Sequence, residues 1–227
     1  MKLKGLAGGL YKPLSEADID TIHDAALTIL EKIGVTYEAG LDDTLGMLEK
    51  AGAAVDRDQT RIALPRDLVE AQTRLAPERV VLCGRADGTD LDLTDHQVHM
   101  GTGGAAIKVL DLETGQARSS TLKDIYQIGR VVDRMDNIHF YLRPCIPTDI
   151  PETAYDVNMF YACLKATGKH VMSGVNDEAG LHQVIEMASL IAGGKAELQE
   201  RPFISVITSF AISPLKLCTQ STLIMRE

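Results

Sequence analysis

The sequence lacks the features that mark several large classes of protein. No run of Lys and Arg interrupts a chain whose 32 acids outnumber 23 bases, for a net charge of -9. That balance opposes binding to a polyanion and argues against nucleic acid as a partner. No window approaches the roughly 18 to 20 apolar residues of a membrane span, so no membrane is expected. The start, MKLKGLAGGLYKPLSEAD, is basic but turns acidic too soon to hold the apolar core of a secretion signal. Cys83, Cys145, Cys163 and Cys218 are scattered, with no pair or Cys/His cluster at metal-ligand spacing. Reduced thiols in a cytoplasmic protein are the expectation. Histidine offers no metal site either: His23 has no second histidine one turn away, and His96 and His99, three apart on a strand, point to opposite faces.

What is present is enough apolar residue, 45% of 227, to bury a core of one or two domains. Ser15 to Gly34 carries Ile19, Ile22, Ala26, Ile29, Leu30 and Ile33 at helical spacing, with Ser15 as cap, Asp18 three residues on and Gly34 past the end. AGLDDTLGMLEKAGA predicts a second helix, RIALP a short strand and RDLVEAQTRLA a third helix. From Arg79 to Ser120 the period falls to two, and RVVLCGR, LDLTDHQVHM, AAIKVLD and GQARSS read as strands of a small antiparallel unit.

Within that unit, GTGG (101–104) invites comparison with a phosphate-binding loop. Such a loop must open a helix, and the β-branched, alternating AAIKVLD that follows predicts a strand instead. The open readings are a glycine-rich hairpin or bulge, or a loop whose bare backbone approaches a ligand or another part of the protein.

STLKDIYQIGRVVDRM begins a helix capped by Ser120 or Thr121. The chain then alternates: strand 138–145, helix 154–168, strand 170–175, helix 179–194, strand 202–210, with Gly168, Gly193 and Gly194 at the expected helix ends. Strand and helix in alternation with short loops predict a parallel sheet with right-handed crossovers. Three strands close no barrel, and the sequence stops at CTQSTLIMRE, within what reads as another helix; the front part of a longer protein is expected. The predicted division is a helical and small β region over 1–120 and βα units over 121–227.

If the series opens a barrel, functional side chains belong at the C-terminal ends of its strands. This rule selects Arg143, Cys145, Asp149 and Glu152 after the first strand, Ser173 and Asn176 after the second, and Thr208, Ser209, Phe210 and Ser213 after the third. Asp149 and Phe210 suit a weakly hydrated cation, and Arg143 and Ser209 a carboxylate. Each has an ordinary reading as well: Arg143 in a salt bridge at the barrel mouth, Asp149 as a cap before Pro151, Ser209 and Ser213 in turns, Cys145 as a buried inert thiol. His170 and His139 begin strands, at the end away from such a site.

Several segments in order, ILEKIGV, LEKAGAAVD, RIALPRDLVEAQTRLAPERVVLCGR, VHMGTGGAAIKVLDLETGQARSSTLKDI, MDNIHF, KATGKHVMSGV and SPLKL, make the chain resemble the trimethylamine methyltransferase family. The resemblance implies an α/β fold, the N-terminal part of a TIM (β/α)8 barrel preceded by a helical and small antiparallel β extension. It implies transfer of a methyl group from a methylated amine, trimethylamine or a quaternary amine such as glycine betaine, to cobalamin carried by a separate corrinoid protein. No cofactor bound by this chain itself is implied, a homo-oligomer is expected, and the barrel mouth must open widely for the corrinoid domain. For such a reaction Arg143, Asp149, Ser173, Ser209, Phe210 and Ser213 are the candidate substrate-binding residues, and no catalytic residue is assigned. The competing reading is a non-catalytic or partner-dependent half-barrel that binds or assembles.

Overall fold

The computed structural model describes residues 5–94 and 96–227. Met1–Lys4, read above as the basic start, and Asp95, within the predicted strand LDLTDHQVHM, lie outside them. The chain forms mixed α/β structure, with eight α-helices and several small sheets among the described residues. Two compact units result: one holds the described residues up to Gly8 together with Arg79–Ile207, the other Gly9–Glu78 and Thr208–Glu227. The chain does not divide at residue 120. The small antiparallel pairs group with the βα series, and the last residues group with the first helices, because each pairs there through backbone hydrogen bonds.

In the unit of Gly9–Glu78 and Thr208–Glu227, helix Glu16–Thr28 starts at a reciprocal cap. Ser15 N–H donates to Asp18 Oδ2 at 2.9 Å and Asp18 N–H to Ser15 Oγ at 3.3 Å. The helix widens into a π turn, Ile29–Ile33, closed by Gly34 N–H to Ile29 O at 2.8 Å. Gly34 has φ +77° and its absent Cβ would strike the Ile62 carbonyl, so glycine is required there. Strands Val35–Tyr37, Ala54–Asp56 and Arg61–Ala63 make an antiparallel set. SPLKL, expected in a loop after the third barrel strand, instead forms part of a hairpin, Ala211–Ile212 and Lys216–Leu217, which adds in parallel to Val35–Tyr37. Leu41, Leu45, Ala53 and Ile62 form the core beneath this five-stranded sheet.

In the other unit, strands Tyr141–Leu142, Val171–Gly174 and Ile204–Ile207 pair in parallel in chain order, as the alternation predicts. Helices Leu122–Asp133, Tyr155–Ala166 and Glu178–Ala192 cover one face. Tyr141, Val171, Met159, Phe160 and Val184 are fully buried in the core between them. Side chains alternate along a strand, so Leu142, Met172 and Ser205 face the other way. Gly193, in the left-handed region at φ +97°, ends the third of these helices as predicted, but Gly168 is no such cap: Thr167 ends its helix in extended conformation. Gly168 is small for another reason, since a Cβ would lie 2.6 Å from that of Ala86.

At the lower ends of these helices two cations hold the last carbonyls. Lys169, buried, donates to Val132 O at 2.8 Å, Met135 O at 2.7 Å and Ile138 O. Arg85 donates to Leu164 O and to Thr167 O at 2.9 Å, and its guanidinium lies over the Phe203 ring. His170 is buried between Cys83 O, at 2.8 Å from Nδ1, and Ser205 Oγ, at 2.7 Å from Nε2. A carbonyl only accepts, so Nδ1 carries the proton and Nε2 accepts from the serine. Burial pushes this imidazole below its ordinary range, which keeps it neutral in a structural role.

The GTGG segment resolves as a close backbone approach. Gly101 and Ala106 pair in parallel with Phe140 and Cys145, on the side of the first strand away from the second. A Cβ on Gly101 would overlap the Phe140 ring, and Gly104 has φ +110°. Thr102 Oγ1 donates to Leu142 O. The glycines let an irregular strand lie against the sheet; they form no turn of a hairpin and open no helix.

Candidate active site

The C-terminal ends of the first two parallel strands carry a small polar cluster. Arg143 follows the first strand, and its N–H donates to Met172 O at 3.1 Å, which continues the ladder. Its side chain therefore leaves on the helix face, and Nη1 donates to the Tyr155 hydroxyl at 3.2 Å. Tyr155 and Asp156 open the next helix. Burial raises the Tyr155 phenol and the Arg143 charge opposes it.

Asp156 is 5% exposed. Its Oδ2 accepts from Asn176 N–H at 2.8 Å, in the loop after the second strand, while its Oδ1 is buried with no partner among the described residues. Burial is the main reason its carboxyl is raised above the ordinary range, and Asp177 adds to that; the Asn176 amide and Arg143 pull the other way. Gly180 completes the fit, because a Cβ there would overlap Asp156 Oδ2. Ser173 is buried beside these elements in the second strand, and its Oγ also lacks a partner among the described residues. Two unpaired buried oxygens beside an arginine and a phenol are what a polar ligand or ordered water would satisfy.

Of the residues selected from sequence, Arg143 and Ser173 belong to this cluster. Asp149 does not: exposed, it accepts Leu122 N–H at 2.9 Å and supports the start of helix Leu122–Asp133. Cys145 is buried with its thiol pushed up by burial, an inert environment. Ser209, Phe210 and Ser213 are exposed and belong to the other compact unit; Phe210 O accepts Cys218 N–H at 2.9 Å, and Ser213 precedes a cis proline. Sequence reasoning missed Tyr155 and Asp156. An acid and a polar aromatic in a first helical turn are ordinary there, and no spacing in the sequence sets Tyr155 and Asp156 apart.

A sequence profile described as trimethylamine methyltransferase (MTTB) matches residues 6–226. The chain belongs to the trimethylamine methyltransferase family. Among curated members, the trimethylamine methyltransferase MttB of Desulfitobacterium hafniense strain DSM 10664 / DCB-2 is 31% identical over 223 residues, covering 98% of this chain and 43% of that protein. The glycine betaine methyltransferase of Desulfitobacterium hafniense strain Y51 is 26% identical over 208 residues, 91% of this chain and 42% of its own length. The trimethylamine methyltransferase MttB of Methanosarcina barkeri is 26% identical over 206 residues, 88% of this chain and 41% of its own. The chain thus spans about two fifths of the length of these trimethylamine methyltransferase family members.

Proposed function

We propose that this chain forms the front part of a TIM-barrel methyltransferase that removes a methyl group from a methylated amine, trimethylamine or a quaternary amine such as glycine betaine. The family match over nearly the whole chain carries this reading. The corrinoid, held by a separate protein in the cytoplasm, would supply the electron-rich cobalt that accepts the methyl group. The residues of this chain would bind and orient the amine. In its charged form Asp156 suits the ammonium, and Arg143 with Ser173 suits the carboxylate of a betaine.

The edge of the parallel sheet bears on the competing reading. Strand Ile204–Ile207 pairs on one side only among the described residues, and Ile207 is 45% exposed. A self-contained binding module would protect such an edge, so an unfinished barrel is favoured over an autonomous assembly module.

The test is calorimetric titration of the chain with trimethylamine and with glycine betaine, followed by mixing with reduced cobalamin and recording the visible spectrum of methylcobalamin. Saturable binding of one amine, lost in Asp156→Asn, supports the reading. Absence of binding and transfer by the chain alone, with both restored by a second polypeptide that completes the sheet, establishes the partner-dependent alternative. Absence of both under either condition refutes the proposal.

A further inference from the structure

The GTGG segment is fastened to the sheet at its start through one imidazole. His139 N–H donates to Met100 O at 2.6 Å, and Met100 N–H donates in return to His139 Nδ1 at 2.8 Å. A ring nitrogen that accepts carries no proton, so this pairing requires a neutral His139 with its proton on Nε2. Further along, Gly101 pairs with Phe140, and Thr102 donates to Leu142 O. At the far end Ala106 N–H reaches Pro144 O at 3.2 Å and Ile146 N–H reaches Ala106 O at 2.9 Å.

The surroundings of His139 oppose a charge on it. The ring is buried, at 3% exposure. The His99 ring stands edge-on to it, centroids 5.2 Å apart, and donates from Nε2 to Asp92 O at 3.1 Å. Lys169 acts on it from the start of the second strand. The carboxylates of this region are engaged elsewhere: Asp92 pairs with Arg79, Asp133 accepts from Thr167 and Gly168, and the charges of Asp133 and Asp136 act on Lys169. Burial first, then His99 and Lys169, holds the His139 imidazole below its ordinary range.

A proton on Nδ1 costs the Met100 bond and sets a second charge near Lys169. Lys169 is fixed by the carbonyls of Val132, Met135 and Ile138. The segment opposite is the part that can move, because it meets the strand through isolated pairs and is exposed over 103–106.

We propose that His139 is a proton-controlled latch on the segment 100–106: neutral, it holds the segment along the first parallel strand, and protonated, it lets the segment go. The far end of that segment holds Pro144 and Ile146, next to Arg143 of the polar cluster, so the latch at one end of the strand bears on the other. It stands or falls apart from the methyl-transfer reading.

Native-state amide hydrogen exchange of the full chain, corrected for intrinsic rates, reads the opening of Met100 and Ala106. The open segment frees an imidazole of ordinary value, about 6.5, and the closed one lies lower. Opening should be constant above about pH 7, rise by up to about tenfold per pH unit below about 6.5, and level off below the closed value. Amides of helix Tyr155–Ala166 should not follow it. NMR of the ring nitrogens at neutral pH should find the His139 proton on Nε2. His139→Asn sets a non-titrating acceptor before Met100 N–H and should flatten the profile. His99→Gln keeps a donor for Asp92 O and removes one opposing ring, so the total rise in opening should shrink. A flat profile in the unsubstituted chain, an undiminished rise in His139→Asn, or a proton on Nδ1 at neutral pH would each overturn the proposal. The first and last of these need no substitution, so the outcome does not depend on either variant folding.

Discussion

Arg118 forks onto Asp124, Nη1 and Nη2 each 2.8 Å from a different carboxylate oxygen. The same carboxylate accepts from Thr121 N–H at 2.8 Å and Thr121 Oγ1 at 2.7 Å, so a strand end and a helix start share one anion. The arginine is the main reason the Asp124 carboxyl lies far below its ordinary range, and the backbone amide of Thr114, with Arg118, takes Asp111 to about 2. A depressed carboxylate contributes stability above its unfolded value, near 3.9, and loses it as pH falls through the folded value. Acid unfolding below about pH 4 should therefore be steep, and Asp124→Asn should flatten it. Asp124→Ala should cost about 1–2 kcal/mol at neutral pH from the lost cap, read from the urea midpoint.

Lys169 ends a helix with three carbonyls in hydrogen-bond reach, and burial lowers its ammonium against the opposing charges of Asp133 and Asp136. Lys169→Met keeps the volume and removes the ammonium donor from the carbonyls of Val132, Met135 and Ile138, of which the first two keep the backbone amides of Met135 and Ile138. A loss of about 2–3 kcal/mol is expected, with amide hydrogen exchange rising first in the last turn of helix Leu122–Asp133.

The approach of Gly101 to Phe140 yields a paired test. Gly101→Ala should destabilise by about 1–3 kcal/mol through overlap with the ring. Combined with Phe140→Ala, the two changes should cost less than their sum, because the smaller side chain admits the new methyl group. Additive losses would mean that the close approach is not what demands glycine.

Asp156 should set stability against binding. Its carboxyl is raised, so the folded chain holds a proton more tightly than the unfolded one, and stability falls as pH rises from about 4 through the folded value. At neutral pH Asp156→Asn should therefore leave thermal stability unchanged or higher, while affinity for a methylated ammonium drops. A lower melting temperature with intact affinity would make Asp156 a fastener of the Asn176 loop.

Much of this was legible where the chemistry is local. The cap of Ser15 with Asp18, a cap at Ser120 or Thr121 that the structure resolves to Thr121, the left-handed Gly193 and the parallel βα order all follow from spacing of a few residues. Pairings between distant segments were not. Nothing near GTGG announces that it lies along Phe140–Cys145, and nothing near SPLKL announces Val35–Tyr37, because a strand edge recognises backbone, which every sequence carries. Asp156 stayed hidden for a related reason: burial, set by the neighbouring loop, turns an ordinary helix-start acid into a perturbed one.

The hairpin at 211–217 also sets an order of assembly. Thr36 and Leu215, which share a hydrogen bond, are 179 positions apart, and all of Arg79–Ile207 folds as an insertion between them. At ribosomal speeds the edge of Val35–Tyr37 waits about ten to forty seconds for its parallel partner to be made. During that interval it is an open template, high in contact order and available to any passing strand. The N-terminal sheet is thus begun first and finished last, and chaperone dependence during synthesis should be concentrated there rather than in the βα series.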